Sequence, residues 1–418
     1  MPALEGWIGH TVDVAVIGAG AAGLATARHL AMVRPDLSVV VIEAARRIGG
    51  RAWTLPGDLA VDLGCGWLHG ARDNAWTGIA QAHGFALDTT AAPWNRETRD
   101  LRLSPGDQEA AKDALRGFFE RVDALDPVGA DDPLSAYLEP GNRWNGLIGA
   151  IGTYINGVEL EQASARDYAR YDPGRPPDWR VRDGYGRLIA DYGAPVPVVL
   201  DTAVSRIAHA DTPVVSIETS RGPLRCRTAV VTVSTTCLAE ETIRFDPPLP
   251  DKLSAAASLP LGVANKLFLD IAAADDLPFD THVFGTPFRL QTAAYQVRPF
   301  GRPVIEAYFG GTFARDIEAA GSEAAFDFAA GELAGLFGSG IRARLSLHAM
   351  SAWAGARWSR GSYSCAKPGA ADARAVLAAP VGERLFFAGE ACSPARFSTA
   401  HGAYETGIAA AEAIARGL

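Results

Sequence analysis

A glycine-rich turn near the start of the chain limits the fold more than any other feature. The apolar, β-branched run at residues 12–17 is followed by G-A-G-A-A-G at 18–23 and then by a helical pattern that extends to Met32. A second β-branched run at 39–42 ends on Glu43. Strand, turn, helix and strand in this order form one βαβ unit, which implies a parallel sheet.

Each glycine of this turn has a physical role in binding a dinucleotide. Gly18 allows the tight turn, Gly20 admits a diphosphate to the backbone, and Gly23 lets the helix pack closely on the strand. Ala22 lies in the first turn of the helix, whose free N–H groups favour an anion. Glu43 follows Gly23 by twenty positions, where a carboxylate accepts hydrogen bonds from ribose hydroxyls and disfavours a 2′-phosphate. The sequence therefore predicts a Rossmann-like dinucleotide site.

The residues directly after Glu43 extend this site. Ala44 precedes the segment R-R-I-G-G-R at 46–51, which contains Arg47, Gly50 and Arg51. Glycines beside arginines suit a second approach of the backbone to a diphosphate, with neutralisation of its charge. We therefore expect these four residues to contact the cofactor.

Composition limits the partners of the protein. With 418 residues, 48% of them hydrophobic, the chain can bury a large core divided into two or three units. Its formal charge is -9 and it has no long basic block, so we expect no nucleic-acid partner. The five cysteines form no C-x-x-C pair, which argues against a zinc site or a disulfide framework. Without a signal-like or membrane-spanning run, an unanchored cytoplasmic protein is expected.

Helical and strand patterns alternate in blocks along the rest of the chain. The region 74–194 is polar and largely helical, and strand patterns return at 196–200, 203–208, 214–219 and 229–233. A further region mixes strands at 266–271 and 304–308 with a helix at 322–337, before a last strand at 384–388 and a helix at 399–416. These blocks predict a discontinuous cofactor-binding domain at 1–73, 195–250 and 350–418, and an inserted domain at 74–194 and 251–349.

Motifs spread over the whole chain resemble those of the flavin-containing amine oxidases, the family of monoamine oxidases, polyamine oxidases and the lysine-specific histone demethylase. Beyond the first βαβ unit, they are VDLGCGWLHG at 61–70, LGVANKLFLDI at 261–271, RGSYSCAKPG at 360–369 and LFFAGEACSPARFSTAHGAYETG at 385–407. The resemblance implies an α/β fold, with a Rossmann-like FAD-binding domain of GR2-type βαβ topology and an inserted α+β substrate-binding domain.

The resemblance also implies which residues meet the FAD. By position they are the loop residues Gly64, Cys65, Gly66 and Trp67, Val204 on the adenine side, Trp358, Gly389 and Glu390 in the closing motif, and Thr399 with Ala400. In this family the last helix, which begins at Thr399 here, points its N-terminus toward the pyrimidine edge of the flavin, where a reduced flavin gains negative charge. Ser362 stands where some relatives carry a flavin-linking cysteine, so noncovalent FAD is expected.

Four residues are implied in catalysis. Lys266 matches the lysine that holds a water next to flavin N5, and an amine in an apolar strand needs a partner or a function to offset its desolvation. Tyr363 falls on one wall of the family's aromatic cage and Trp353 on the tryptophan near the lysine. The opposite wall is Thr399, where monoamine oxidases have a second tyrosine. This departure places the pattern nearer to the demethylase and some polyamine oxidases.

The reaction implied is the oxidation of a C–N bond of a small-molecule amine. Hydride transfer to flavin N5 gives an imine, water hydrolyses the imine, and O2 reoxidises the cofactor with production of H2O2. An L-amino-acid oxidase, with Arg289 or Arg357 as the carboxylate clamp, remains an alternative. So does a pathway-specific flavin oxidoreductase, and so does a flavin-bound regulatory protein without turnover. The sequence indicates neither the actual substrate nor the oligomeric state, and it indicates no metal site.

Overall fold

The computed structural model describes residues 11–95, 103–126, 128–210 and 213–418. The strands of these residues are β1 (Thr11–Ile17), β2 (Val39–Ile42), β3 (Thr54–Leu55), β4 (Val61–Asp62), β5 (Leu87–Asp88), β6 (Arg180–Val181), β7 (Val198–Val199), β8 (Val204–Ala208), β9 (Val215–Thr219), β10 (Gly222–Val231), β11 (Arg244–Asp246), β12 (Leu261–Gly262), β13 (Ala264–Ile271), β14 (Thr281–Phe284), β15 (Ala294–Val297), β16 (Val304–Gly310), β17 (Leu345–Met350), β18 (Tyr363–Ser364) and β19 (Leu385–Phe387).

The α-helices of the same residues lie between these strands and after them. They are α1 (Ala21–Val33), α2 (Ala75–Ala82), α3 (Pro105–Asp123), α4 (Asn145–Asn156), α5 (Ala165–Ala169), α6 (Tyr185–Gly193), α7 (Thr235–Ala239), α8 (Pro250–Ser258), α9 (Gly311–Ala320), α10 (Ser322–Phe337), α11 (Ala373–Ala378) and α12 (Ala400–Gly417). Within the described ranges, none of these helices is long and apolar enough to cross a membrane.

The βαβ unit predicted from the glycine turn lies at the centre of the first sheet. Strands β7, β2, β1, β10 and β19 are parallel neighbours in this order, and β8, β9 and the first half of β10 form an antiparallel meander beside them. Val14, Val16 and Val230 are completely buried because apolar clusters cover both faces, as a parallel sheet requires. The prediction of an α/β fold with a Rossmann-like domain is confirmed.

Close packing of α1 on α12 holds the glycine turn in place. A Cβ atom on Gly407 of α12 would lie 2.2 Å from the carbonyl oxygen of Ala22 in α1. The Thr26 hydroxyl donates a hydrogen bond to the Gly407 carbonyl at 3.0 Å. In α1, about one turn before Thr26, a Cβ on Gly23 would lie 1.9 Å from the Gly18 carbonyl oxygen. Gly23 and Gly407 therefore permit contacts that no larger residue allows.

A five-stranded antiparallel sheet, in the order β14-β15-β16-β13-β17, forms the second layer. Side chains alternate across its strands, so that one face is apolar and packs on α9 and α10, through residues such as Leu267, Ile305 and Leu333. Lys266, Glu306 and Tyr308 belong to the opposite face, which lines a cavity between this sheet and the first one.

Three helices that the sequence assigns to the inserted region pack on the first sheet. Trp76 of α2 and Leu188 of α6 belong to the apolar cluster that contains Val14 and α1. Ala256 of α8 belongs to the cluster on the other face of the sheet. The helix predicted at 322–337 coincides with α10, and the last helix begins at Ala400 with Thr399 as its N-cap.

Replacing Gly407 by alanine tests the helix contact. We expect Gly407→Ala to lower the free energy of unfolding by about 1–3 kcal/mol, because the new methyl group meets backbone and not a movable side chain. Gly331→Ala is the matched control: apart from its chain neighbours and the adjacent backbone of α10, no atom of the described residues lies within 4 Å of its Cβ position. The control should raise stability by about 0.5–1 kcal/mol. Equal effects of the two changes in urea denaturation would contradict the proposed packing constraint.

Candidate active site

A cavity of about 860 Å³ lies between the two sheets. Its wall contains every site residue predicted from the sequence except Gly23, which packs beneath the turn instead. The roles of these residues stay predictions, but the fold brings them to one place.

The glycine turn forms one end of the cavity. Apart from its two chain neighbours, no atom of the described residues lies within 4 Å of the Cβ position of Gly20, so the backbone there faces open space. Glu43 is buried, and its carboxylate accepts hydrogen bonds from the N–H groups of Ala19 at 2.7 Å and Ala45 at 2.8 Å. Burial raises the pKa of Glu43 above its usual value. This carboxylate therefore shapes the turn as well as facing the cavity.

The two predicted arginines have different surroundings. Arg47 donates hydrogen bonds to the carbonyls of Ile48 at 3.1 Å and Gly50 at 2.7 Å, and its guanidinium stacks on Trp53 with 4.4 Å to the ring centroid. It closes its own loop, and burial lowers its pKa. Arg51 instead donates to the Glu390 carboxylate at 2.7 Å.

Glu390 is a buried acceptor for several segments. Beside Arg51, it accepts the Ser364 hydroxyl at 2.7 Å and the Ser398 backbone N–H at 2.9 Å. Burial by itself would raise the pKa of Glu390, but the Arg51 and Arg374 guanidiniums and the Ser364 hydrogen bond hold it below its usual range. Gly389 and Glu390 both line the cavity. The hydrogen bonds of the Glu390 carboxylate therefore hold several segments of the cavity wall together.

The loop at residues 64–67 runs along the cavity and is held from behind. A Cβ on Gly64 would lie 1.8 Å from the Arg51 carbonyl oxygen, which explains a glycine at this position. The indole N–H of Trp353 donates to the Leu63 carbonyl at 3.0 Å. Asp62, just before the loop, accepts the N–H groups of Tyr185 and Gly186 at the start of α6. Burial raises the pKa of Asp62, while Lys266 and these hydrogen bonds oppose the rise.

Lys266 lies between two carboxylates. Its Nζ atom is 3.1 Å from Glu306, and the Asp62 carboxylate also acts on its charge. Burial works to lower the pKa of Lys266, but Glu306 and Asp62 outweigh it and raise the pKa above the usual value. A Cβ on Gly66 would lie 3.0 Å from Nζ, so the ammonium group lies against the loop at 64–67.

Tyrosines form the wall next to Lys266. Tyr363 donates its hydroxyl to the Tyr154 carbonyl, and the hydroxyls of Tyr363 and Tyr308 are 3.0 Å apart. Burial raises the pKa of Tyr363, so the phenol stays neutral. The aromatic wall therefore continues from Tyr363 to Tyr308, a residue that the sequence motifs did not identify.

The remaining predicted residues have these positions. The Thr399 hydroxyl accepts the Gly402 N–H at 3.0 Å as the N-cap of α12, and Ala400 follows it in the wall. The Ser362 hydroxyl donates to the Ala264 carbonyl and accepts the Ala264 N–H, both at 2.8 Å. Cys65, Val204 and Trp358 also line the cavity.

The positions of other sequence candidates bear on the alternatives. Arg289 is 3.3 Å from Glu332 and does not line the cavity, whereas Arg357 lines it with its guanidinium over Trp358. In the middle region, Tyr154 lines the cavity and Trp144 packs in an apolar cluster.

Several cavity residues were not found from the sequence. Among them are Glu306, Tyr308, Gln296, His282 and Trp94. Alternation within the predicted strand at 304–308 places Glu306 and Tyr308 on one face, but only the pairing of β13 with β16 puts that face next to Lys266.

The residues of the cavity wall fit an FAD. The open backbone at Gly20 and the start of α1 suit the diphosphate, Glu43 suits the ribose, and the wall around Gly64 and Thr399 suits the flavin ring.

A methyl group at Gly20 tests this fit. Because the position is open, Gly20→Ala should leave the stability of the protein without cofactor unchanged while weakening FAD binding at least about tenfold, as the diphosphate loses its approach to the backbone. Binding is measured by flavin fluorescence during titration of the apoprotein, and stability by urea denaturation. Unchanged FAD affinity would show that the diphosphate does not approach Gly20.

Comparison with known proteins gives the same family throughout. The sequence profile described as flavin containing amine oxidoreductase matches residues 21–145 and 148–415. Polyamine oxidase 4 of Oryza sativa subsp. japonica is 27% identical over 99% of this chain and 90% of its own length. Polyamine oxidase 2 of Arabidopsis thaliana is 28% identical over 96% of this chain and 87% of its own.

A solved structure of a putrescine oxidase triple mutant with redesigned cofactor binding has a TM-score of 0.79, at 20% identity, over 97% of this chain and 99% of its own. That likeness concerns the fold. The profile match covers most of the chain, which therefore belongs to the flavin-containing amine oxidoreductase family and is an FAD-dependent enzyme that oxidises amines.

Proposed function

We propose that the protein oxidises the C–N bond of a small aliphatic amine that is held as the neutral amine against Tyr363, next to Lys266. The pairing of Lys266 with Glu306 on the cavity face of the second sheet is the observation that carries this proposal. The bound FAD supplies the two-electron oxidation. The protein positions the amine and excludes water from it.

Lys266 acts as a fixed positive charge and hydrogen-bond donor. The pKa of Lys266 is raised, so its side-chain ammonium group remains protonated at neutral pH. Lys266 is therefore not a general base. A charged donor in this position holds a water molecule and favours the reduction of O2, which acquires negative charge.

Tyr363, Trp353 and Thr399 have separate tasks. Tyr363 presents a ring whose hydroxyl is fixed by the Tyr154 carbonyl, so its face stays in one orientation. Trp353 supports the loop at 64–67 through its hydrogen bond to Leu63. Thr399 caps α12 and keeps the N-terminal N–H groups of that helix directed at the cavity wall.

The names of the relatives indicate which substrates to test first. These relatives are named for polyamines and putrescine, which makes these amines the first compounds to test.

We also propose that the protein is cytoplasmic. Its five cysteines are all unpaired, which suits a reducing compartment.

Anaerobic mixing of the oxidised holoenzyme with a panel of compounds tests the proposal. The panel contains monoamines, diamines, polyamines, N-methyl amines and L-amino acids, and bleaching of the flavin absorbance is followed by stopped flow. We expect bleaching by aliphatic amines. Bleaching by amino acids alone would favour the amino-acid oxidase with Arg357 as carboxylate clamp, and bleaching by no compound would overturn the proposal.

Removal of the lysine charge tests its role. Lys266→Met should slow flavin reduction or reoxidation by about tenfold or more, because the variant lacks the donor and leaves the Glu306 and Asp62 carboxylates uncompensated. Both rate constants are measured by stopped flow.

Lys252 provides the matched control for losing a buried lysine. It is 6% exposed and donates to the Val376 and Leu377 carbonyls at the end of α11, outside the cavity wall. Lys252→Met should lower the melting temperature and leave both rate constants unchanged. If Lys266→Met behaves in the same way, Lys266 has no part in the chemistry.

A further inference from the structure

Strand pairing places three polar residues of the second sheet in one row. On the cavity face, Glu306 of β16 pairs with Gln296 of β15, and Gln296 pairs with His282 of β14. All three line the cavity. Neighbouring strands lie about 4.8 Å apart, so the row extends about 10 Å from Glu306 to His282. It leads away from Lys266 toward Trp94, whose ring contacts that of His282.

A second row beside it is apolar. Tyr308 pairs with Ala294, and Ala294 pairs with Phe284. The ring of Tyr154 packs against both flanking aromatic rings, with its centroid 5.9 Å from that of Tyr308 and 6.5 Å from that of Phe284. The cavity floor therefore has one side that offers hydrogen bonds and one side that offers apolar contact, as an extended chain with polar ends requires.

A buried ion cluster fixes the orientation of Gln296. Its Nε2 atom donates to Asp280 at 3.0 Å. Asp280 in turn accepts two hydrogen bonds from the Arg180 guanidinium, both at 2.9 Å, and Arg180 also binds Asp88. Because a carboxylate bound to arginine only accepts, the amide nitrogen must face Asp280. The Oε1 atom of Gln296 is then the group left for a ligand.

His282 offers a second acceptor. Its ring contacts Trp94 and Phe284, with centroids 6.2 and 5.0 Å apart, and it has no hydrogen-bond partner among the described residues. Burial lowers the pKa of His282 to about 4, so the ring is neutral at physiological pH. A neutral imidazole has one nitrogen that accepts a hydrogen bond in either tautomer.

We propose that Gln296 Oε1 and a ring nitrogen of His282 bind a second nitrogen of the substrate, so that the enzyme selects extended diamines or polyamines over monoamines. The proposal rests on the amine oxidation proposed above. An amino or ammonium group donates to both acceptors, and the face of Trp94 stabilises its charge. A monoamine of equal length places a methyl group there and leaves both acceptors unpaired, which costs binding free energy.

Two single variants test the subsite on the holoenzyme. His282→Phe keeps the aromatic contacts and removes the nitrogens, and Gln296→Leu keeps the volume and removes the amide. Kinetics are measured with a series of straight-chain diamines and the monoamines of equal length. We expect kcat/KM for diamines to fall about tenfold or more in each variant, mainly through KM, because a hydrogen bond to a charged group is lost. The values for monoamines should stay unchanged or rise.

A binding measurement separates recognition from turnover. The holoenzyme is reduced with dithionite under anaerobic conditions and titrated calorimetrically with a straight-chain diamine and its equal-length monoamine. The diamine should bind the native protein more tightly, and both variants should lose that difference. His348→Phe is the matched control, because this exposed histidine of β17 pairs with Asp270 at 3.1 Å outside the cavity wall.

The outcomes separate this inference from the function on which it rests. Equal loss for diamines and monoamines, or no loss for either, in both variants would overturn the subsite while amine oxidation stands. Bleaching of the flavin by no amine would overturn the proposed function itself. A shift in the diamine preference of His348→Phe equal to that of His282→Phe would also contradict the assignment.

Discussion

The buried carboxylate of Glu390 is the interaction on which the cofactor end of the molecule depends. It is 5% exposed and binds Arg51 from the loop after β2, Ser364 from β18 and Ser398 before α12. These segments are far apart in sequence, and each contributes to the cavity wall. Leaving one partner of such a buried pair alone costs about 3–5 kcal/mol, so the charges fix the segments relative to one another.

The same principle operates at the substrate end. Arg180 binds Asp88 and Asp280, and Lys266 lies next to Glu306. In each cluster a cation from one element meets carboxylates from others, because a lone charge in this position would be desolvated without compensation. The Arg180 guanidinium also lies over the ring of Trp67, 4.8 Å from its centroid. The cluster beneath Gln296 therefore supports part of the loop at 64–67 as well.

Local sequence signals located the elements, but the partners of the site residues needed the fold. The strand, glycine turn and helix at 11–33 have a local cause in β-branching and in Gly18, and the N-cap at Thr399 is equally local. Lys266 was found through its match to the family's lysine, with an amine in an apolar strand as the local signal. Glu306, forty positions later, looks like any polar residue of an alternating strand until the β13–β16 register places it opposite Phe268, beside Lys266.

Register also explains why the cavity floor can be selective without a dedicated motif. Because successive side chains alternate between faces, slipping β15 by one residue would exchange Gln296 for Tyr295 or Val297 and interrupt the polar row at its centre. The hydrogen bond that Gln296 donates to Asp280 opposes such a slip. The slip would leave the buried Asp280 carboxylate with one hydrogen-bond partner fewer. The ion cluster thus holds the strand in register and orients the amide with the same contact. Substrate preference and sheet stability depend on one set of hydrogen bonds, which is why a subsite of this kind leaves no local signature in the sequence.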